Sequence, residues 1–262
     1  MARAILDAMK LCALVPAAGR GSRLGLDRPK ILAEVAPGVT ILSVLSGKLL
    51  AVADHLNIIV APDAFDMIAA AIRSGPGADR VSTALQPEPL GMGDAIFRGY
   101  DRWARAGAIM VVWGDQVFVS ATTLAAARDA HRGAPRTVVI PVVPLAEPYV
   151  EYVFDAGRLV AVRQTREGDR CAPGGLGDVG AFVLSVAGLR EAWLEYSASA
   201  AHGGATGEIN FLPFLPWLAA RGWTVAPLPI GDPREARGVN TPADLEFFRA
   251  EFSRAPVAKT GR

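Results

Sequence analysis

Cysteine and histidine are scarce in this chain of 262 residues, which has two of the former and three of the latter. Cys12 and Cys171 are too few for a disulfide framework or a zinc site of their own, and they suit a reducing compartment. His55, His131 and His202 are scattered and read as surface or packing residues. Charge of one sign is also missing: 27 Lys+Arg face 26 Asp+Glu. The basic stripe that a nucleic-acid partner needs is therefore absent. No apolar run approaches the ~20 residues that cross a bilayer. The opening MARAILDAMK carries Asp7 and lacks the apolar stretch and cleavage site of a leader. These absences predict a cytoplasmic protein with neither nucleic acid nor membrane as partner.

What the chain has is apolar material: 51% hydrophobic residues with only 20% charged. That composition supports a real core. Leu11–Val15, Asn57–Ala61, Val81–Leu85, Ala108–Trp113 and Thr137–Val143 read as strands. Their apolar character is nearly continuous, as expected where helices cover both faces of a parallel sheet. Between them Ile41–Ala53, Ala64–Arg73, Asp94–Arg105 and Thr122–Arg132 have helical spacing. The alternation predicts an α/β fold, a three-layer α/β/α sandwich with a mostly parallel sheet.

The second half departs from that rhythm. Tyr149–Phe154 and Leu159–Arg163 flank Asp155-Ala156-Gly157 and predict a hairpin. Cys171–Gly177 is a glycine-rich loop, and Val179–Ser185 and Trp223–Ile230 are strand-like. Ile209–Arg221 reads as a helix disturbed by Pro213 and Pro216, and Thr241 can cap a helix over Pro242–Glu251. We expect one domain over 11–252, with a nucleotide lobe at about 11–143. A small inserted acceptor-side lobe would follow at about 144–235, with a return at 236–252 and a tail at 253–262.

The most informative segment is Leu14–Leu32, LVPAAGRGSRLGLDRPKIL. A buried strand enters Ala17-Ala18-Gly19-Arg20-Gly21-Ser22-Arg23, where small residues let the backbone approach a ligand and free N–H groups can cradle an anion. Arg20, Arg23 and Lys30 add cations, and ligands of α/β sheets sit beyond the carboxyl ends of strands. A phosphate site is the natural reading. The string is neither G-x-x-x-x-G-K-[ST] nor G-x-G-x-x-G, so it is not a P-loop or a dinucleotide fingerprint.

This segment resembles the signature of the sugar-phosphate nucleotidyltransferases, a strand followed by A-A-G-x-G-[ST]-R and then P-K. Within the group it is most similar to the uridylyltransferase branch acting on N-acetylglucosamine 1-phosphate. Gln86 with Leu90-Gly91-Met92-Gly93 resembles the family's nucleobase segment, and Trp113-Gly114-Asp115 its strand-ending, Mg²⁺-holding G-D. Gly207-Glu208 resembles the G-E before an acceptor-side helix, and Gly238-Val239-Asn240 a G-V-N that completes the metal site.

The resemblance implies a Rossmann-like nucleotide-diphospho-sugar transferase fold and attack of a phosphate oxygen on the α-phosphorus of an NTP, releasing pyrophosphate. It makes Ala17, Ala18, Gly19, Arg20, Gly21, Ser22, Gln86, Gly91 and Met92 nucleotide-binding, Gln86 by offering donor and acceptor to a pyrimidine edge. Arg23 would stabilise phosphate charge, Lys30 would hold the incoming phosphate, and Asp115 and Asn240 would share Mg²⁺. Plainer roles exist for several: Asp115 or Asn240 as turn or cap residues, Arg20 as a solvated cation, Gln86 on an exposed strand end.

The acceptor side departs from the family. Val150 stands where a glycine admits the N-acetyl sugar, Gln164 replaces a glutamate, Asp178 an asparagine and Asn210 a tyrosine. Val150, Gln164, Asp178 and Glu208 are the expected acceptor residues. The expected partners are an NTP, foremost UTP, and a phosphorylated small molecule. Transfer of UMP to a sugar phosphate leads. A cytidylyltransferase or other NTP-transferase acting on a non-sugar phosphate or phosphonate, and a non-catalytic nucleotide-binding regulator, are the alternatives.

Overall fold

The structure, a computed structural model, describes residues 10–19, 24–204 and 207–254. Its strands are β1 (Leu11–Pro16), β2 (Glu34–Ala36), β3 (Val39–Thr40), β4 (His55–Val60), β5 (Val81–Leu85), β6 (Ala108–Val112), β7 (Thr137–Pro144), β8 (Val150–Asp155), β9 (Arg158–Gln164), β10 (Leu176–Asp178), β11 (Ala181–Ser185) and β12 (Thr224–Pro229). Across the main sheet the order is β5-β4-β1-β6-β11-β7-β12, with β10 also on β7. The β1–β4, β4–β5, β1–β6 and β7–β12 pairs are parallel, whereas β11 runs antiparallel to both neighbours. The expected Rossmann-like sandwich, mostly parallel, is what the chain forms.

Continuous burial along β1 and β6 has a simple cause, because alternate residues feed opposite layers. Ala13 and Val15 join a cluster with Ile41, Leu45, Leu49, Ile68 and Leu245. Cys12 and Leu14 face the other layer with Ile96, Trp103, Trp193 and Phe214. The first layer is built by helices α1 (Ile41–Leu50) and α2 (Phe65–Arg73), the second by α3 (Met92–Arg98) and α4 (Tyr100–Trp103). Further on, α5 (Ala121–His131) covers the first face, α6 (Leu189–Ser199) and α7 (Phe214–Ala220) the second, and α8 (Pro242–Arg254) the first again. Among the described residues no helix is long and apolar enough to cross a membrane.

Differences from the sequence reading have local causes. The helix expected over Asp94–Arg105 breaks at Gly99, whose added Cβ would lie 2.9 Å from the Asn57 amide. The helix expected from Ile209 starts only at Phe214, because Pro213 occupies its N-cap position. Helix α6 was not expected, although Leu189, Trp193 and Tyr196 are its buried face. The short β2–β3 ribbon offers too few residues for any period to show.

The strand expected over Val179–Ser185 begins at Ala181, and its line is interrupted. Asp178 pairs with Val142 while Val183 pairs with Val139, a slipped register that marks a bulge at Val179-Gly180. Gly180 has φ +69°, and a Cβ there would sit 2.2 Å from Cγ of Gln116. Off the main sheet, β8 and β9 form their own two-stranded sheet, with Val150 opposite Gln164.

Gly180→Ala therefore combines left-handed strain with overpacking and should destabilise the fold by about 2–4 kcal/mol in denaturant titration. Gly133 has φ +68° but open space around it, so Gly133→Ala should cost only about 1 kcal/mol. Equal losses at the two positions would contradict the packing account.

Candidate active site

A cleft of about 670 Å³ opens at the carboxyl ends of β1, β5 and β6. Parallel strands direct their ends to one side, which is where loops of such sheets meet ligands. Ala17, Ala18, Gly19, Lys30, Gln86, Gly91, Met92, Asp115, Val150, Gln164, Asp178, Glu208 and Asn240 all line it. Arg20, Gly21, Ser22 and Arg23 lie outside the described residues.

At one point of the cleft three remote segments meet. Lys30 Nζ donates to Asp115 Oδ2 at 3.0 Å and to Asn240 Oδ1 at 3.3 Å. Asp115 follows β6 in a tight turn, and its carbonyl accepts the Val239 N–H at 2.9 Å. Val239 is buried, so the 238–240 strip is pinned against this turn. Asp244 then accepts from the backbone N–H of Asn240 and Thr241, fixing where α8 starts. Gly238 is needed here, since a Cβ would lie 3.1 Å from Asn240 Nδ2 and 3.2 Å from Asp115 Cγ. Lys48 steadies the turn from behind by donating to the carbonyls of Val117 and Val119, and burial pushes its ammonium down to about 8.

Two oxygens converging on one ammonium are a donor set that also suits a hard divalent cation. Magnesium commonly takes one or two protein oxygens and fills its remaining positions with water and phosphate. Among the described residues no group of three or more His, Cys, Asp or Glu could hold a metal.

At the other end Gln86 is buried, and its Nε2 donates to Gly91 O and to Asp94 Oδ2, both at 2.9 Å. Both amide protons are thereby used, so Gln86 offers a ligand its Oε1 alone. This corrects the expectation of a donor and an acceptor at that position. Asp94 is held in turn by Arg98 at 2.7 Å. Gly91 has φ +106°, and a Cβ would come within 3.0 Å of Glu208 Cβ, so the segment passes close to the acceptor-side wall.

That wall is built by the hairpin and the bulged strand. Asp178 accepts from Tyr152 Oη at 2.9 Å and from the Gly180 N–H. Burial raises the Asp178 carboxyl above its ordinary value, and the charge of Asp115 adds to the effect. Gln164 Oε1 accepts from Asn210 Nδ2 at 2.9 Å, so two of the departures from the family pattern touch each other. The loop 171–177 is tied to the hairpin's approach: Gly174 N–H bonds Leu145 O, Leu145 N–H bonds Gly175 O, and Glu151 accepts from Ala172 N–H.

Trp113, read in the sequence as part of the Gly-Asp segment, lines the cleft. Gln116, Tyr149 and Arg166 also line it and carried no role in the sequence reading. Gln116 adjoins the Gly-Asp pair and Arg166 follows the hairpin closely, so position was the available signal. Gln116 Oε1 is buried with no partner among the described residues.

The Asp178 shift has a definite consequence for stability. A carboxyl raised in the fold binds its proton more tightly folded than unfolded, so folding takes up a proton at pH values above 3.8 and below the raised value. Stability from this group therefore falls as pH rises through that window. The advantage of the native protein over Asp178→Asn should shrink with rising pH in denaturant titrations. An advantage that grows with pH would reverse the assigned direction.

Comparison with known proteins agrees with this geometry. Residues 13–203 match the model of the MobA-like NTP transferase domain. The bifunctional protein GlmU of Mycobacterium bovis is 28% identical over 255 residues, 94% of this chain and 50% of that protein. GlmU of Roseobacter denitrificans is 30% identical over 261 residues, 93% and 53% respectively. The chain thus spans about half the length of the curated relatives it matches. Among solved structures, a Methanothermobacter nucleotidyl transferase superposes with a TM-score of 0.63 at 21% identity, covering 94% of this chain and 99% of that one. The 4-diphosphocytidyl-2C-methyl-D-erythritol synthase of Anaerococcus prevotii gives 0.66 at 14% identity, covering 96% and 99%. Both likenesses concern the fold. The chain belongs to the MobA-like NTP transferase domain family, and it carries a nucleotidyltransferase domain.

Proposed function

We propose that the cleft transfers a nucleoside monophosphate from an NTP, foremost UMP from UTP, to a sugar phosphate with release of pyrophosphate and with Mg²⁺ as cofactor. The observation that carries this reading is the meeting of Lys30, Asp115 and Asn240 beside Ala17–Gly19. Phosphoryl transfer to an already anionic oxygen needs positioning and charge neutralisation more than a general base. The small residues after β1 would wrap the triphosphate, continuing into Arg20–Arg23, with Arg23 on the phosphate charge. Asp115 and Asn240 would hold the magnesium ion, which when bound supplies charge neutralisation to phosphate oxygens. Lys30 would leave their oxygens and hold the acceptor phosphate.

At the base, Gln86 Oε1 requires a donor, which uracil N3–H supplies. The exocyclic amine of cytosine supplies one too. That second reading, a cytidylyltransferase working on a non-sugar phosphate or phosphonate, is favoured by the acceptor wall, where Val150, Gln164, Asp178 and Asn210 depart from the family pattern together.

Pyrophosphate release measured with Mg²⁺, each common NTP and a panel of sugar 1-phosphates and phosphonates tests both. A pyrimidine NTP with one acceptor should give turnover that falls about 100-fold or more in Asp115→Ala. Asp94→Ala should free the Gln86 amide to flip and relax the choice of base. Absence of NTP binding in calorimetry would sink the proposal.

A further inference from the structure

Resting on the nucleotidyl-transfer reading, we propose that the acceptor carries a second acidic group besides its reacting phosphate, and that Gln164 and Arg166 bind it. The argument starts from a backbone amide. Leu212 N–H can only donate, and it points at Asn210 Oδ1 at 3.4 Å. This fixes the Asn210 carboxamide with Nδ2 toward Gln164, where it donates to Oε1 at 2.9 Å. Gln164 is thus oriented in turn: its oxygen is engaged, and its Nε2 has no partner among the described residues. A glutamate at this position would present acceptors to the hydroxyls of a sugar. The amide held this way presents donors.

Its surroundings point the same way. The end of β9 is locked, with Gln164 N–H donating to Asp169 Oδ2 at 2.8 Å and Thr165 N–H to Tyr149 O at 3.1 Å. The next residue, Arg166, stands on the cleft rim with its side chain 35% exposed. Its ion pair with Glu167 is 3.5 Å long, too long for a strong hydrogen bond, so most of its five donors remain for a ligand. Of the carboxylates around it, Asp169 is engaged by the Gln164 N–H, and Asp178 is served by Tyr152 and Gly180. Gln164 and Arg166 both line the cleft, and an amide donor with a guanidinium suits a planar oxyanion. Val150, opposite Gln164 in the hairpin, adds an apolar side chain to the same part of the cleft lining.

The test uses matched pairs of acceptor probes that differ in one acidic group: phosphonoacetate against ethylphosphonate, and glucuronic acid 1-phosphate against glucose 1-phosphate. Each is titrated by calorimetry into the full chain saturated with Mg²⁺ and a non-hydrolysable α,β-methylene NTP. The acidic member of at least one pair should bind about tenfold more tightly or better. Arg166→Ala should bring that ratio near one without changing affinity for the NTP analogue. Gln164→Glu should weaken the acidic member selectively. Equal or weaker binding of the acidic members, no binding by any probe, or equal losses for both members in Arg166→Ala would overturn the proposal while leaving nucleotidyl transfer standing. Failure of the NTP analogue itself to bind would overturn the underlying reading, and this proposal with it.

Discussion

One ammonium held between two oxygens organises the candidate site. Lys30 reaches Asp115 and Asn240 across 85 and 210 residues of sequence, so the contact exists only if the whole sheet is assembled. β6 delivers Asp115, the Asp115 carbonyl captures Val239, and the α8 cap sets Asn240. Gly238 leaves the space between them. Each of these is a local requirement, and none alone suggests a binding site. Together they bring a carboxylate and a carboxamide oxygen onto one ammonium in a cleft walled partly by backbone.

The polar groups around that point are oriented by neighbours rather than by their own identity. Asp94 and Gly91 consume both amide protons of Gln86, leaving an acceptor at one end of the cleft. Asn210 consumes the oxygen of Gln164, leaving donors at the other. A glutamine is ambivalent on paper, and two glutamines with opposite polarity in one cleft would read alike in sequence. The protein resolves the ambiguity through partners that are five to eight residues away for Gln86 and 46 away for Gln164.

That distinction explains what was legible beforehand. The parallel core showed because β1, β4 and β6 are buried on both faces, and burial on both faces forces a continuous apolar run. The Leu14–Leu32 segment pointed to the cleft because small residues and a strand exit coincide there, and Ala17, Ala18, Gly19 and Lys30 line it. Helix α6 carries the Leu189, Trp193, Tyr196 spacing, but Gly188 stands at its N-cap and offers no capping side chain to mark its start. The bulge at Gly180 was not legible, since the space a side chain there would need is filled by Gln116 from a neighbouring loop. Arg166 and Gln116 carry no motif, and adjacency to the hairpin and to the Gly-Asp pair was the signal for their place in the cleft.

Asp115 and Asn240 are the proposed cation site of the transfer reaction, and Lys30 contacts both. The direct test is a crystal structure with Mn²⁺ and a non-hydrolysable NTP, with the metal located by its anomalous signal. The account predicts Mn²⁺ bound to Asp115 and Asn240 oxygens, with Lys30 Nζ moved onto phosphate. Mn²⁺ found elsewhere in the cleft, with Lys30 still bridging the two residues, would contradict it.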